Sequence, residues 1–340
     1  MATLTKASRE LFRRSDDERF PSLSALSDFC NRLKTESIDR WHSPKSITVD
    51  TAMRLCAGTD GAFALNDWSF SQLCKMAGVA KDTVNRLTPE TASLVFGETL
   101  PRTGSKPLQL LTNDDRMRSI HGTQYTRLWN ADLVAVLQEF AVDFQPPQAG
   151  CNGATGLYAG EQDMFCFLID PAGWCEIGEQ AYAPGFFVWN SEVGRRSLGV
   201  QTFWFQSVCR NHIVWDAVEV VEWSRKHTAK VGEGLSDIRR IIEGLVRKRD
   251  QRKDAFVRVI RKAMAEKMGD DAGEVLKVLS RHGISRSLAT RALDSARTQG
   301  VFSVWSVVDA LTRMAGELTN AGERTEADEK AASFLHALAA

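Results

Sequence analysis

The densest run of alternating positions lies between Pro184 and Trp215, PGFFVWNSEVGRRSLGVQTFWFQSVCRNHIVW. Phe186 to Trp189 is an aromatic and β-branched stretch that predicts a strand, and Ser197 to Gln206 predicts a second. In the second, period-two alternation puts Leu198, Val200, Thr202 and Trp204 on one face and Gly199, Gln201, Phe203 and Phe205 on the other. Asn190-Ser191-Glu192-Val193-Gly194 between them has a turn former at each end and predicts a hairpin loop. Large aromatics on both faces mean that protein covers both, or that one stays open to meet something flat. The loop also brings Arg195 and Arg196 beside the rings, and a cation next to an aromatic surface is a first hint of function.

Elsewhere the patterns alternate between periods. Leu23, Leu26, Phe29 and Leu33 predict a short amphipathic helix inside a polar stretch broken by Pro21 and Pro44. Phe70, Leu73 and Ala77 share a helical face, Gly78 breaks it, and Ala80–Leu87 follows with Val84 and Leu87 inward. That is the outline of a helix-turn-helix, whose second helix would offer Lys81, Asn85 and Arg86 to a DNA groove. Helix–Gly–helix corners are also common in ordinary cores, and Asp82 is a poor neighbour for a phosphate. Leu108–Leu111 and Arg118–Trp129 predict strands, and Asn130 begins a helix to Phe140 with Leu133, Val136, Leu137 and Phe140 as its stripe. Met164–Ile169 and Trp174–Ile177 predict two more strands, forming a meander with the aromatic hairpin.

From Leu235 the period becomes helical. Ile238, Ile241, Ile242 and Leu245 form one half of a stripe, and Phe256, Ile260 and Met264 the other. Between the halves, the inward positions carry Arg249, Arg252 and Lys253, a break that packing alone does not favour. Three further helices are expected after Glu274, the last striped by Trp305, Val308 and Leu311. The expected class is therefore α+β: an antiparallel sheet from about residue 108 to 221 packed with helices, plus an all-helical C-terminal region. The chain divides into an N-terminal arm (1–45), an α+β core (46–230) and the helical region (231–340).

Charge changes this picture more than composition does. The 340-residue chain is formally neutral, yet residues 195–262 hold 16 Lys and Arg against 8 Asp and Glu, a local excess of +8. A basic zone on a neutral protein attracts polyanions without making the whole surface adhesive. No apolar run approaches the roughly 20 residues that span a bilayer, so no membrane partner is expected. Seven scattered cysteines (Cys30, Cys56, Cys74, Cys151, Cys166, Cys175, Cys209), with no Cys-x-x-Cys, fit reduced thiols in a bacterial cytoplasm rather than a zinc site. The Gly-rich CNGATGLYAG stretch is followed by no Gly-Lys-Ser/Thr, so it is no phosphate loop, and no cofactor or metal is expected. Cys209 and His212 could form a thiolate–imidazole pair, the one enzymatic reading the residues allow, although a buried cysteine more often serves as a small hydrophobe.

The motif string Gly185, Asn190, Ser191, Gly194, Val208, Cys209 and Asn211 resembles that of the phage- and plasmid-borne family known as domain of unknown function 932. Its pattern is a Gly before a strand, an Asn-Ser-x-x-Gly turn, a second strand and then Val-Cys-x-Asn, with weaker similarity from about Ala64 to Met314. Members commonly have Gly after that Asn, where this chain has His212. The resemblance implies a phage or plasmid setting and lends no activity. In architecture alone, strands backed by a cationic helix are also similar to phage single-strand annealing proteins. The expected function is thus binding of single-stranded nucleic acid, DNA favoured, by a homo-oligomer. Arg195, Arg196, Arg247, Lys248, Arg249, Arg252 and Lys253 are the expected contacts, with aromatic rings as surfaces for bases.

Overall fold

A computed structural model of the chain describes residues 18–101, 106–147, 155–178, 180–206, 212–215, 221–281, 284, 286–297 and 302–317. Side chains of residues 212–215, 288, 295, 297 and 312–317 are outside that description. Cys209 therefore lies outside the described residues, as does the imidazole of His212.

Helix α1 (Leu23–Glu36) starts where Ser22 Oγ accepts from the Ala25 N–H at 3.1 Å. Four short strands follow, β1 (Ser37–His42), β2 (Ile47–Val49), β3 (Arg54–Ala57) and β4 (Ala62–Leu65). Next come α2 (Asp67–Ala77), the single turn α3 (Lys81–Val84), α4 (Pro89–Thr99), β5 (Leu108–Asn113) and β6 (Arg116–Gly122). These strands make one six-stranded sheet in the order β1-β5-β6-β4-β3-β2, antiparallel except for the parallel pair β4–β6. Its core is Leu55, Phe63, Leu110, Met117 and Ile120 packed on Leu73 of α2, Val84 of α3 and Phe96 of α4.

Helix α5 (Asn130–Phe140) leads into the second sheet: β7 (Leu157–Ala159), β8 (Met164–Ile169), β9 (Cys175–Ile177), β10 (Gln180–Asn190), β11 (Leu198–Gln206), β12 (His212–Trp215) and β13 (Glu222–Arg225). Its path is β12-β11-β10-β8-β7, with β13 also on β11 and β9 also on β10, all antiparallel. Helices α6 (Glu233–Arg247), α7 (Arg249–Ala265), α8 (Ala272–Arg281), α9 (Arg286–Arg297) and α10 (Val304–Glu317) complete the described chain. The α+β class is as expected. No described helix is long and apolar enough to cross a membrane.

Two expectations about extent are corrected. The sheet structure begins at Ser37 rather than near residue 108, and Arg118–Trp129 is a strand only as far as Gly122. The division at 45 and 230 also does not separate packing units. Leu26 and Cys30 of α1 share a core with Leu133 and Leu137 of α5, Phe186 and Val200 of the second sheet, and Ile238 and Ile242 of α6. Further along the same sheet face, Trp204 stacks on Phe256 of α7 with centroids 3.7 Å apart and planes 7° apart. An amphipathic helix must bury its stripe somewhere, and here the sheet takes both α6 and α7.

The central hairpin is closed on both faces. Phe165, Phe167, Phe187, Trp189, Phe203 and Phe205 form a buried aromatic layer on one side, and Phe186, Val188, Leu198 and Val200 belong to the helix-covered core on the other. Neither face is left open for a base, which corrects the idea that these rings form a binding surface. Glycine makes the packing possible. A Cβ on Gly185 would stand 2.5 Å from the Leu168 carbonyl oxygen and 2.9 Å from Phe203 Cζ. Gly185→Ala is therefore expected to destabilise the protein by about 1–3 kcal/mol, since backbone cannot yield as a side chain can. An unchanged urea midpoint with an unchanged slope would show that this reading is wrong.

Candidate nucleic-acid interface

The turn Asn190–Gly194 joins the two sheets, and almost every polar atom in it is assigned. Asn190 Nδ2 donates to the Leu128 carbonyl at 2.9 Å and to Asn130 Oδ1 at 2.8 Å. Ser191 Oγ accepts from the Arg195 N–H at 2.9 Å and donates to the Gln162 carbonyl. Glu192, 1 % exposed, receives Arg118 Nη2 on one carboxylate oxygen at 3.0 Å and the Asn130 N–H on the other at 2.9 Å. The second contact supplies an anion to the N-terminal end of α5, where the helix dipole favours one. The Glu192 carbonyl accepts from the Tyr125 hydroxyl at 2.7 Å and from Arg127, which also grips Asp39 with two nitrogens. The Val193 carbonyl accepts from Trp68 Nε1 of α2 at 2.7 Å and from His121 Nε2 of β6 at 3.0 Å.

Gly194 is required at this point twice over. Its φ is +71°, and a Cβ there would lie 2.6 Å from His121 Cε1 and 2.9 Å from Tyr125 Cε2. Those two rings are stacked, with centroids 3.6 Å apart and planes 8° apart, and His227 stacks with Tyr125 at 5.4 Å. Burial lowers both imidazoles to about 4, with the Arg127 charge adding to the effect. Each ring is neutral near pH 7, so His121 donates through Nε2 to Val193, while Nδ1 of His227 faces the Thr126 carbonyl at 3.3 Å.

Beside this stack opens a cleft of about 730 Å³ at the junction of the sheets. Lys106, Arg195, Arg196 and Lys226 line it together with the His121, Tyr125 and His227 rings, and no Asp or Glu is among the described lining residues. Arg196 is paired with Asp163 and lies 5.0 Å over the Phe165 ring. Arg195, Lys106 and Lys226 are exposed and form no ion pair among the described residues. The guanidinium of Arg195 lies 5.0 Å over the indole of Trp68. The expected cation–ring pairing thus exists, but its rings are Trp68 and Phe165.

The α6–α7 cations are disposed differently from expectation. Arg249, Arg252, Phe256, Ile260 and Ala263 fall on the protein-facing side of α7, so the apparent gap in the apolar stripe is part of the packed face. Arg249 pairs with Asp170, itself buried, and reaches Asp143 at 3.5 Å. Arg252 is 4 % exposed and cannot offer its charge to a phosphate. Lys253 is half-buried near Cys175, whereas Arg247 and Lys248 are exposed at the α6–α7 junction. None of these five lines the cleft. The partly buried Arg249 is thus neutralised by Asp170, a buried anion from a distant part of the chain.

The corner Asp67–Leu87 does not furnish a groove-reading helix. One turn of α3 is about 6 Å long, half the roughly 12 Å width of a major groove. Lys81 is held by Asp67 and by Ser71 Oγ at 3.0 Å, while Asn85 and Arg86 are exposed beyond the helix end. No group of three metal-ligating side chains occurs among the described residues. The thiols of Cys30 and Cys166 are deeply buried, and burial pushes Cys30 up to about 12, so neither is a nucleophile.

The chain matches no family model, no curated protein and no solved structure. Lys106, Tyr125, Lys226 and His227 were absent from the sequence-based site. They stand in loops or at strand ends with no motif around them, and only the docking of the two sheets brings them together.

Proposed function

We propose that the chain binds single-stranded nucleic acid, with the strand's phosphates in the cleft between the two sheets. The observation that carries this is the unneutralised charge of Lys106, Arg195 and Lys226 around a cleft whose described lining has no carboxylate. Three cations converging without an anion repel one another, and a polyanion relieves that repulsion. A phage or plasmid setting rests on the resemblance of the Gly185–Asn211 motifs, and a role there in replication or recombination would follow from strand binding itself.

Three phosphate contacts predict that log affinity falls against log salt with a slope of about −2 on a single strand. Anisotropy titration of labelled oligothymidylate at several salt concentrations measures that slope. The double variant Arg195→Glu, Lys226→Glu is expected to lose most of the binding and most of the slope. Arg258→Glu with Arg261→Glu, exposed on α7 away from the cleft lining, is expected to change little. Binding absent even at low salt, or unaffected by the first pair and abolished by the second, defeats the proposal.

A further inference from the structure

A cleft that holds phosphates only by charge treats single-stranded and duplex nucleic acid alike. Preference for unpaired strands needs a flat surface for a base, and the hairpin aromatics are buried. Of the flat groups in the cleft wall, His121, Tyr125 and His227 are stacked against one another and at most half-exposed, whereas Arg195 is exposed and carries a charged plane.

Its setting is unusually well defined for an exposed arginine. The Arg195 N–H is fixed by Ser191 Oγ at 2.9 Å, so its backbone is anchored to the keystone turn. The side chain lies on Trp68 at 5.0 Å, and the indole is held in turn by its 2.7 Å bond to the Val193 carbonyl. The indole therefore flanks the guanidinium on one side, and no carboxylate among the described residues draws the charge elsewhere. A long flexible side chain ordinarily gives up rotamer freedom when it binds; here much of that ordering is already in place. The neighbouring Arg196, tied to Asp163 and Phe165, lacks this freedom to act.

Resting on the reading of the cleft as a strand-binding site, we infer that Arg195, laid on Trp68, is a stacking platform for an unpaired nucleobase. Arginine planes stack on exposed bases, and every base has a π-face to meet one, so the platform selects unpaired strand without selecting sequence. The phosphates flanking that base then fall to Lys106 and Lys226.

The test separates charge from plane. Labelled oligothymidylate and an abasic strand of equal length, which keeps every phosphate and has no bases, are titrated at one low salt concentration. The native protein is expected to bind the thymidylate strand about tenfold tighter than the abasic one, the effect of stacking a single base. Arg195→Lys retains the positive charge and loses the plane; it should bind the abasic strand as the native protein does, with the tenfold preference gone. Trp68→Leu should behave in the same way, and Trp68→Phe should restore part of the preference; circular dichroism confirms that each variant is folded. If the native protein binds both strands equally well, or if Arg195→Lys keeps the preference, the platform is refuted while strand binding stands. If neither strand binds, the reading of the cleft itself is refuted.

Discussion

Replacing Arg118 with methionine is expected to cost about 3–5 kcal/mol of unfolding free energy, the usual penalty for stranding a buried charge. Arg118 and Glu192 meet at 3.0 Å with side chains only 7 % and 1 % exposed. Removing the guanidinium leaves the Glu192 carboxylate with the Asn130 N–H as its remaining donor and no cation in contact among the described residues. The loss spreads, because the Glu192 and Val193 carbonyls also hold Tyr125, Arg127, Trp68 and His121. Urea unfolding measures the effect. The double variant Arg118→Met, Glu192→Leu should be less damaging than Arg118→Met alone, because it removes both charges together. A single-variant cost below about 1 kcal/mol would contradict the role assigned to this pair.

Acidification from pH 7 to pH 4.5 is expected to remove about 2 kcal/mol of stability for each of His121 and His227. Both are lowered to about 4 in the folded protein by burial, against an ordinary value of 6.5. Between those values the unfolded chain takes up protons that the folded chain refuses, so stability falls as pH falls through this window. Well above pH 6.5 both states are neutral at these rings and their contribution is level; well below pH 4 both are charged and the loss is complete. Asp60 is displaced in the opposite sense for its own window, since Arg40 and His42 hold its carboxyl below 3.8, so its loss comes at lower pH. Stability measured by urea at half-unit intervals should show a slope near two protons at pH 5, and His121→Gln or His227→Gln should each remove about one of them. A flat profile from pH 7 to 5 would rule out buried neutral imidazoles.

The two histidines also show how legibility varied along the chain. His121 meets the Val193 carbonyl across the fold and stacks on Tyr125, contacts that no local pattern around either residue encodes. Strands β8, β10 and β11 were legible because they are long and rich in aromatic and β-branched residues, and the five-residue turn because its composition admits few alternatives. Strands β1 to β4 were not. β2 has three residues, and β1, SIDRWH, mixes charge with two exposed apolar side chains. β1 is held by β5, some seventy residues away in the chain, a pairing that local pattern does not encode.

Local pattern by itself determined the α+β class, the aromatic hairpin, the tight turn at Gly194 and the succession of C-terminal helices. Each depends on periodicity or on a backbone preference that acts over a few residues. Which cations are available to a ligand was decided only by tertiary structure. Arg249 and Arg195 look alike in sequence, both in basic surroundings near apolar residues. The fold brings Asp170 against the first across 79 positions and sets the second on Trp68 with no carboxylate in contact. Charge becomes a binding feature where nothing across the fold neutralises it, and neutralisation over such separations follows from how the sheets and helices dock.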